Sequence, residues 1–304
     1  MTPPRLEIPA ARQGPGPIPR NVLEKLDLVV ARRTRGVLPG DRLAAGVGRG
    51  TELAQLRPYE VGDDVRQIDP AATARMGEPY VRLHVPERTL TTWLVVDRSP
   101  SMAFGTTERL KSDVADGAAI VVSRLAVRRA GRVALCTFGA GEPRLFPPRA
   151  SKPGTVAVRR ALAGGVSPDG GGEGDRRSLA HALVKLGRVA TQPGLVVVIS
   201  DFRDQEEWIR PLGAIAAHHS VMAIEVRDPR ETSLPNVGHL ALVDPETGEL
   251  VQIDTSRRRV RERFAAIEAE SRARVASELR RLAVDHVVLS TAGDWLKALG
   301  RRLS

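Results

Sequence analysis

The sequence predicts an α/β fold in which a mostly parallel, Rossmann-like sheet is covered by helices on both faces. Two apolar runs support this prediction, Leu94–Val96 and Leu195–Ile199, and a further strand is predicted at Val221–Val226. Strands that are buried on both faces are apolar throughout, whereas strands with one wet face alternate polar and apolar residues. Segments with helical periodicity separate the runs, which is the order expected of repeated strand–helix–strand units.

The remaining elements follow in chain order from the same patterns. Further strands are predicted at Tyr80–Val85, Arg132–Phe138 and His286–Leu289, and a hairpin is predicted to pair Leu240–Val243 with Leu250–Ile253. Helices are predicted at Lys111–Arg129, Thr155–Ala163, Leu179–Ala190, Glu206–His219 and Ser256–Ala283. An apolar stripe on the last helix is predicted to cover the sheet, and it comprises Val260, Phe264, Ile267, Val275 and Leu279.

Length and composition fit one full α/β domain with a smaller module, because the chain has 304 residues of which 42% are hydrophobic. Composition predicts a disordered, Pro-rich tail at residues 1–20, and residues 21–90 begin with a predicted helix. Residues 91–304 then form the α/β domain. Cys136 is the single cysteine, which excludes an intramolecular disulfide and predicts a core residue.

The chain is basic, with 46 Lys and Arg against 36 Asp and Glu. Such a balance in general favours nucleic acid or an anionic membrane surface. Here acidic and basic residues are interleaved, as in Arg257–Arg263, and no cluster of aromatic residues could stack on bases, so nucleic-acid binding is a minor alternative. No signal peptide and no apolar run of roughly 18 residues is visible, which predicts a cytoplasmic protein without a membrane span.

Acidic turns follow two of the apolar runs, and they are the strongest chemical signal in the sequence. Asp97, Ser99 and Ser101 form a D-x-S-x-S motif after the first run, and Asp201 follows Leu195–Ile199. Because the carboxyl ends of neighbouring parallel strands share one edge, these groups are expected to meet there. A carboxylate and two hydroxyls supply the oxygen ligands that Mg²⁺ prefers. Taken alone, the motif is more often a simple turn before a helix.

The two turns together resemble the metal-ion-dependent adhesion site of von Willebrand factor A domains, and the resemblance implies that fold for the α/β domain. In that family a Thr from a second loop completes the site, whereas this sequence has Arg177 at that position. One alternative is a Mg²⁺ site in which Ser178 or Asp175 replaces the Thr. The other is that Arg177 takes the place of the cation between Asp97 and Asp201. Arg177 and Ser178 are also the candidate partner-binding residues.

A segment of mixed charges, residues 57–69, precedes the α/β domain. Its charged and turn-forming residues are Arg57, Tyr59, Gly62, Asp63, Asp64, Arg66 and Asp69. Arginine side chains that fork to these carboxylates would fix the turn, so a structural network is predicted. Catalysis is not predicted, because no histidine or nucleophile accompanies the carboxylates.

This segment, followed by Arg75, a strand and the motif that ends in Met102 and Gly105, resembles a bacterial family called domain of unknown function 58 (DUF 58). Pro70 stands where that family has a Trp. For the rest of residues 21–90, after the predicted helix, the family implies a small β-rich module. The resemblance implies a non-enzymatic adaptor that works with a MoxR-type AAA+ ATPase and a client protein in protein maturation or complex assembly. A metal-dependent hydrolase in the same crevice is the alternative, although no P-loop, H-E-x-x-H or G-x-S-x-G motif is present.

Overall fold

A computed structural model describes residues 52–85, 90–128, 130–139, 141–167, 178–203, 206–244 and 248–303. The predicted tail, the N-terminal helix, Asp175 and Arg177 lie outside these residues. Within them, none of the helices combines the length and the apolar character that a bilayer crossing requires.

Strands and helices alternate along the described chain. The strands are β1 (Glu52–Pro58), β2 (Tyr80–Val85), β3 (Thr91–Asp97), β4 (Arg132–Phe138), β5 (Arg144–Ala150), β6 (Leu195–Ser200), β7 (Ser220–Arg227), β8 (His239–Val243), β9 (Leu250–Asp254) and β10 (Asp285–Ser290). The helices are α1 (Pro70–Met76), α2 (Lys111–Arg128), α3 (Ser151–Leu162), α4 (Leu179–Val189), α5 (Ile209–Ala216), α6 (Arg258–Arg281) and α7 (Trp295–Leu303).

The main sheet has six strands in the order β10-β7-β6-β3-β4-β5. All neighbouring strands pair in parallel except β5, which runs antiparallel to β4 at one edge. β1 with β2, and β8 with β9, form separate two-stranded antiparallel sheets. The predicted mostly parallel sheet, the predicted hairpin and the β-rich extension are therefore confirmed.

Two hydrophobic cores lie on the two faces of the main sheet. Successive residues of β3 point to opposite faces, so Leu94 and Val96 belong to one core and Trp93 and Val95 to the other. The first core includes residues of α2, α3 and α7, and the second includes residues of α4, α5 and α6. Cys136 is buried in the second core, where burial raises the pKa of its thiol to about 12. Its predicted place in the core is confirmed.

The sequence patterns miss β5, α1 and α7, and they extend α5 three residues too far, to His219. β5 contains Pro147 and Pro148, which cannot donate to a strand ladder, and it accordingly lies at the edge. α1 begins at Pro70. Asp69 caps the helix, because its carboxylate accepts hydrogen bonds from the backbone amides of Ala71 and Ala72. The proline in place of the family's Trp is thus the first residue of a helix.

Helix α6 covers the sheet with its C-terminal half only. Val275 and Leu279 are buried, whereas Ile267 is 55% exposed and Val260 and Phe264 are half-buried. The prediction that the whole stripe covers the sheet is wrong for the first half of the helix. The reason is length, because a helix of 24 residues is about 36 Å long and a strand of 6 residues spans about 20 Å.

The mixed-charge segment lies beside the β1–β2 sheet, and its predicted arginine fork is present. The Arg57 guanidinium lies 2.6 Å from Asp63 Oδ1, across a turn in which Gly62 has a φ of 114° that favours glycine. Asp64 and Asp69 accept hydrogen bonds from backbone amides at the starts of a 3-10 turn and of α1.

Two other residues of this segment act through the backbone or lie in solvent. The backbone amide of Tyr59 donates to Pro79 O at 2.8 Å, which ties the segment to the start of β2. The Arg66 side chain is exposed, and its backbone amide donates to Asp64 Oδ1. The segment is therefore a set of caps and turns around the Arg57 guanidinium, which pairs with Glu60 and Asp63.

Candidate functional site

The carboxyl ends of β3 and β6 lie side by side, because the two strands are parallel neighbours in the sheet. Asp97 is the last residue of β3, and Asp201 directly follows β6. Both carboxylates are buried, with 4% and 2% of their surfaces exposed. The two acidic turns found in the sequence thus meet at one edge of the sheet.

The first loop, residues 97–104, is a turn fixed by the Asp97 carboxylate. Asp97 Oδ1 accepts a hydrogen bond from the Ser99 backbone amide at 2.9 Å, and Oδ2 accepts one from Ser200 Oγ at 2.6 Å. The hydroxyl oxygens of Ser99 and Ser101 lie 3.1 Å apart. The motif therefore forms a simple turn, and this turn also brings its two serine hydroxyls together.

Asp97 ionises with difficulty in this environment. Burial raises its pKa to about 7, the negative charge of Asp201 adds to the increase, and hydrogen bonds from Ser200 and Ser99 oppose it. Among the described residues, no lysine or arginine forms an ion pair with Asp97. This carboxylate is therefore held by hydrogen bonds alone.

Arg98, the second residue of the motif, anchors the first loop to the helices on one face of the sheet. The residue is 3% exposed. Its guanidinium binds Asp116 of α2 at 2.5 Å, and it also donates to the backbone oxygens of Leu162 at 2.5 Å and Gly165 at 2.8 Å. These bonds fix the loop in a single position at the edge.

A glycine after β4 makes room for the first loop. Gly139 has a φ of 90°, and a Cβ added there would lie 2.3 Å from the Ser99 backbone nitrogen. Real Cβ atoms do not approach a backbone nitrogen so closely, so the loop rests directly on bare backbone. Gly139 is required both by its conformation and by this contact.

Lys111 dominates the third loop, residues 200–203. It is the first residue of α2 and is fully buried. Its Nζ lies 2.6 Å from Asp201 Oδ2 and 2.6 Å from Glu231 Oε1, while Asp201 Oδ1 accepts a hydrogen bond from the Arg203 backbone amide at 3.1 Å. Burial opposes the ionisation of Asp201, but the charge and hydrogen bond of Lys111 outweigh it, so the pKa of Asp201 lies below its usual value.

An outer layer of arginines surrounds this centre. Arg203 binds Glu231 at 3.2 Å through Nε and Glu268 at 2.9 Å. Arg272 of α6 donates to the Asp201 backbone oxygen and binds Glu225, both at 2.7 Å. The third loop is thus tied to α6 by two guanidinium groups.

Glu225 lies within β7 and has no exposed surface. Burial favours its neutral form, but hydrogen bonds from His286 and Arg227 and the charges of Arg227 and Arg272 lower its pKa to about 2. It therefore remains charged at neutral pH. His286 contacts this carboxylate at 2.9 Å, so it belongs to the ion network.

A third acidic turn follows β7 and was missed in the sequence. Asp228 accepts hydrogen bonds from the backbone amide and hydroxyl of Thr106 and from the hydroxyl of Thr291. It therefore joins the residues between the first loop and α2 to the residues that follow β10. Asp228 and Glu231 come directly after the apolar run at Val221–Val226, which is the same signal that identified the first two turns. Lys111, Arg98 and Arg272 have no such signal.

Ser178 from the second loop has a structural role. It is the N-cap of α4, and its side chain accepts a hydrogen bond from the His181 backbone amide at 3.2 Å. The predicted roles of Arg177 and Asp175 fall outside the described residues. The prediction that Ser178 binds a partner stays a prediction.

The third loop as arranged does not fit Mg²⁺. The ion needs oxygen ligands at about 2.0–2.1 Å in a nearly octahedral shell. Asp201 Oδ2 is bonded to an ammonium group and Oδ1 to a backbone amide, and the ammonium charge would repel a cation. Across the part of the chain that the structure describes, no group of three or more His, Cys, Asp or Glu side chains is arranged to hold a metal ion.

The family pattern of "Protein of unknown function DUF58" matches residues 55–274. The chain is 40% identical to uncharacterized protein Rv1480 of Mycobacterium tuberculosis over 282 residues, which cover 92% of this chain and 87% of that protein. Uncharacterized protein Mb1516 of Mycobacterium bovis matches with the same identity and coverage.

Two solved structures are similar to part of the chain at low TM-scores. Conserved hypothetical protein BatB from Bacteroides thetaiotaomicron is 16% identical with a TM-score of 0.43, over 70% of this chain and 97% of that one. The SpRpn10 VWA domain is 12% identical with a TM-score of 0.37, over 69% of this chain and 93% of that one. With the sequence match over most of its length, the chain belongs to the DUF58 family of proteins of unknown function.

Proposed function

We propose that this chain is a non-enzymatic adaptor that captures a segment of a partner protein at the carboxyl edge of the main sheet. The observation that carries the proposal is the half-buried Ser99 hydroxyl, which lies 3.1 Å from the buried Ser101 hydroxyl on a loop that Asp97 and Arg98 hold rigid. A rigid loop loses little conformational freedom when a partner binds, which favours affinity.

The surface around the hydroxyl pair has the composition of an interaction site. Phe104, at the end of the same loop, is 37% exposed, and its ring lies 5.9 Å from Lys111 Nζ. The Arg203 side chain is 35% exposed and binds the same Glu231 as Lys111 does. An exposed aromatic residue and an arginine beside hydrogen-bonding hydroxyls suit a partner segment that carries a carboxylate.

The chemistry of the described residues supports a binding role over catalysis. General acid–base or nucleophilic catalysis needs a base within reach of a hydroxyl or of a water. The histidine of the ion network, His286, contacts Glu225 instead of a hydroxyl, and the carboxylates of Asp201 and Glu231 are bonded to Lys111. Asp97 does accept a hydrogen bond from the Ser200 hydroxyl at 2.6 Å, but both residues are buried away from a substrate, so the metal-dependent hydrolase stays the weaker alternative.

The finer part of the proposal names the partner as a MoxR-type AAA+ ATPase, with which the chain would present a client protein for maturation or assembly. Membership of the DUF58 family is what supports this choice. The exposed Arg203 and the hydroxyl pair would then face an acidic segment of the ATPase or of the client.

Affinity capture with the tagged full chain, in the presence and absence of ATP and read by mass spectrometry, tests the proposal. Asp97→Ala should lose the captured partner, whereas Asp285→Ala should keep it. Asp285 is an exposed carboxylate at the amino end of β10, on the opposite edge of the sheet, so it controls for the same chemical change. Capture by Asp97→Ala at wild-type affinity would refute the adaptor role at this edge.

The identity of the partner is a separate outcome. A purified MoxR-type ATPase that binds the wild type but not Asp97→Ala supports the finer proposal. Specific capture of another protein at the same edge, with no binding of the ATPase, would leave the adaptor role standing and overturn the choice of partner.

A further inference from the structure

We propose that Lys111 is the resident cation of this site, so that the chain holds its third loop and binds its partner without a divalent metal ion. The part of this inference that concerns the partner rests on the proposed function. The part that concerns the cation is a property of the isolated chain and is tested separately.

The position of the ammonium group is the first argument. Lys111 Nζ makes two short contacts, of 2.6 Å each, with carboxylate oxygens of Asp201 and Glu231. A metal ion that used Asp201 would have to displace this group, since an ion at about 2 Å from the carboxylate cannot share the same oxygen with an ammonium at hydrogen-bond distance. Lys111 already makes the contacts that a cation would make.

The charge balance of the surroundings is the second argument. The ion network contains four carboxylates and four permanent cations, namely Asp201, Glu225, Glu231 and Glu268 with Lys111, Arg203, Arg227 and Arg272. A divalent ion would add two positive charges to a buried network that is already neutral. Excess charge in a poorly solvated site is unfavourable, so the network as built opposes metal binding.

The placement of Lys111 in its helix is the third argument. It is the first residue of α2, a helix of 18 residues, where the helix dipole disfavours a positive charge. It is also fully buried, which adds a desolvation cost. A lysine that meets both penalties needs compensation, and the two carboxylates provide it. The Phe104 ring at 5.9 Å adds a cation–π contact.

Removal of the ammonium group should therefore create a need for a metal ion. Without Lys111, the carboxylates of Asp201 and Glu231 face each other with no cation between them, and Asp97 lies close enough to add a third negative charge. A divalent ion would restore the balance in the space that the side chain leaves. The wild type should be indifferent to the same ion.

Thermal unfolding of the purified chain in EDTA, in millimolar MgCl₂ and in millimolar MnCl₂ tests this inference. The melting temperature of the wild type should not change among the three conditions. Lys111→Ala should melt lower in EDTA and recover part of the loss in either metal salt, and the recovery should vanish in Lys111→Ala/Asp201→Asn. Lys185→Ala is the control, because Lys185 binds the Pro143 backbone oxygen and lies away from the site on α4. A Lys111→Ala protein that folds but gains nothing from either metal would overturn the assignment.

A second measurement tests the inference even if Lys111→Ala does not fold, because it uses the wild type. The wild type is titrated with Mn²⁺, and the paramagnetic resonance signal of the free ion is measured. The wild type should bind no more Mn²⁺ than Asp97→Asn does, so the signal should fall equally in the two proteins. Submillimolar binding of Mn²⁺ by the wild type that is lost in Asp97→Asn and kept in Asp285→Asn would overturn the inference.

Partner capture separates this inference from the proposed function. Equal capture by the wild type in EDTA and in MgCl₂ supports a resident cation, and capture that requires MgCl₂ refutes it. Neither result bears on whether Asp97→Ala loses the partner, so the adaptor role and the metal-free site can fail independently.

Discussion

The first and third loops lie at the ends of adjacent strands, each with a buried aspartate, yet the two carboxylates have opposite properties. Burial raises the pKa of Asp97 to about 7, whereas the pKa of Asp201 lies below its usual value even though burial opposes its ionisation. The difference is the partner, because Asp201 binds the Lys111 ammonium and Asp97 binds only hydrogen-bond donors.

This contrast shows that strand position does not determine the chemistry of an aspartate at a sheet edge. Desolvation acts on both residues alike, and one buried cation reverses its effect on Asp201. At Asp97 the first loop is consequently a turn held by hydrogen bonds, and the third loop is the centre of an ion network. The following variants break or sharpen this difference.

Lys111→Met should have the largest effect, because it removes the cation that pairs with the buried Asp201 carboxylate and one of the cations that pair with Glu231. We expect a loss of about 3–5 kcal/mol in the free energy of unfolding at neutral pH, which is typical when one partner of a buried ion pair is removed. Urea unfolding would measure it, with Lys185→Met as the control. A loss no larger than that of the control would contradict the central role of Lys111.

Asp97→Asn should change how stability depends on pH. The folded state keeps the Asp97 proton between about pH 4 and pH 7, where the unfolded chain has already lost it, so the stability that this group contributes falls as pH rises through that window. The shift from 3.8 to about 7 corresponds to on the order of 4 kcal/mol.

Urea unfolding of wild type and Asp97→Asn across this window would measure the effect. The variant should gain stability relative to the wild type as pH rises and should level off above about pH 7. Groups with lowered pKa values, such as Glu225 and Asp201, act mainly below the window. Parallel pH profiles for the two proteins would contradict the raised pKa.

Gly139→Ala should displace the first loop while it leaves the third loop intact. The new Cβ would meet the Ser99 backbone, and the φ of 90° is strained for any other residue, so we expect a loss of about 1–3 kcal/mol. Gly187→Ala is the matched control, since Gly187 lies within α4 with open space around it and alanine there should stabilise the helix by about 0.5–1 kcal/mol. Equal effects in the two variants would show that the loop does not rest on Gly139.

Arg203→Ala should have the smallest effect, although Arg203 also contacts Glu231. Its side chain is 35% exposed, and solvent screens such pairs, so we expect a loss below about 1 kcal/mol that shrinks as salt is added. Denaturant unfolding at low and high salt would measure it. A loss comparable to that of Lys111→Met would show that the outer arginines, and not the buried lysine, hold the third loop.

The sequence predicts the main sheet well because buried parallel strands are apolar runs. β4 was predicted with its observed ends, and β6 and β7 were predicted to within one residue. β5 was missed because an edge strand with two prolines lacks both an apolar run and a ladder donor pattern. α7 was missed although its buried residues Trp295, Leu299 and Leu303 recur at helical spacing, so the signal was present in the sequence.

For the site, the sequence identifies carboxylates but not their cations. Asp97 and Asp201 follow apolar runs directly, and Asp228 could have been found in the same way. Lys111 reaches Asp201 from α2, and Arg272 reaches Glu225 from α6, so only the packing of those helices brings the charges together. No local spacing records a contact of this kind, and the alternative in which Arg177 is the internal cation rests on spacing alone and stays a prediction.

The Lys111 contacts also order events during synthesis of the chain. Lys111 precedes Asp201 by 90 residues and Glu231 by 120 residues. At about 5–20 residues per second, the ribosome needs on the order of 10 s to make the later residues. During that interval β3, the first loop and α2 have already been made. Lys111 stays hydrated because its carboxylate partners are missing, and one side of β3 is unpaired because β6 has not yet been made. The first half of the sheet therefore waits, with an apolar strand edge open to other chains, for the second half to emerge.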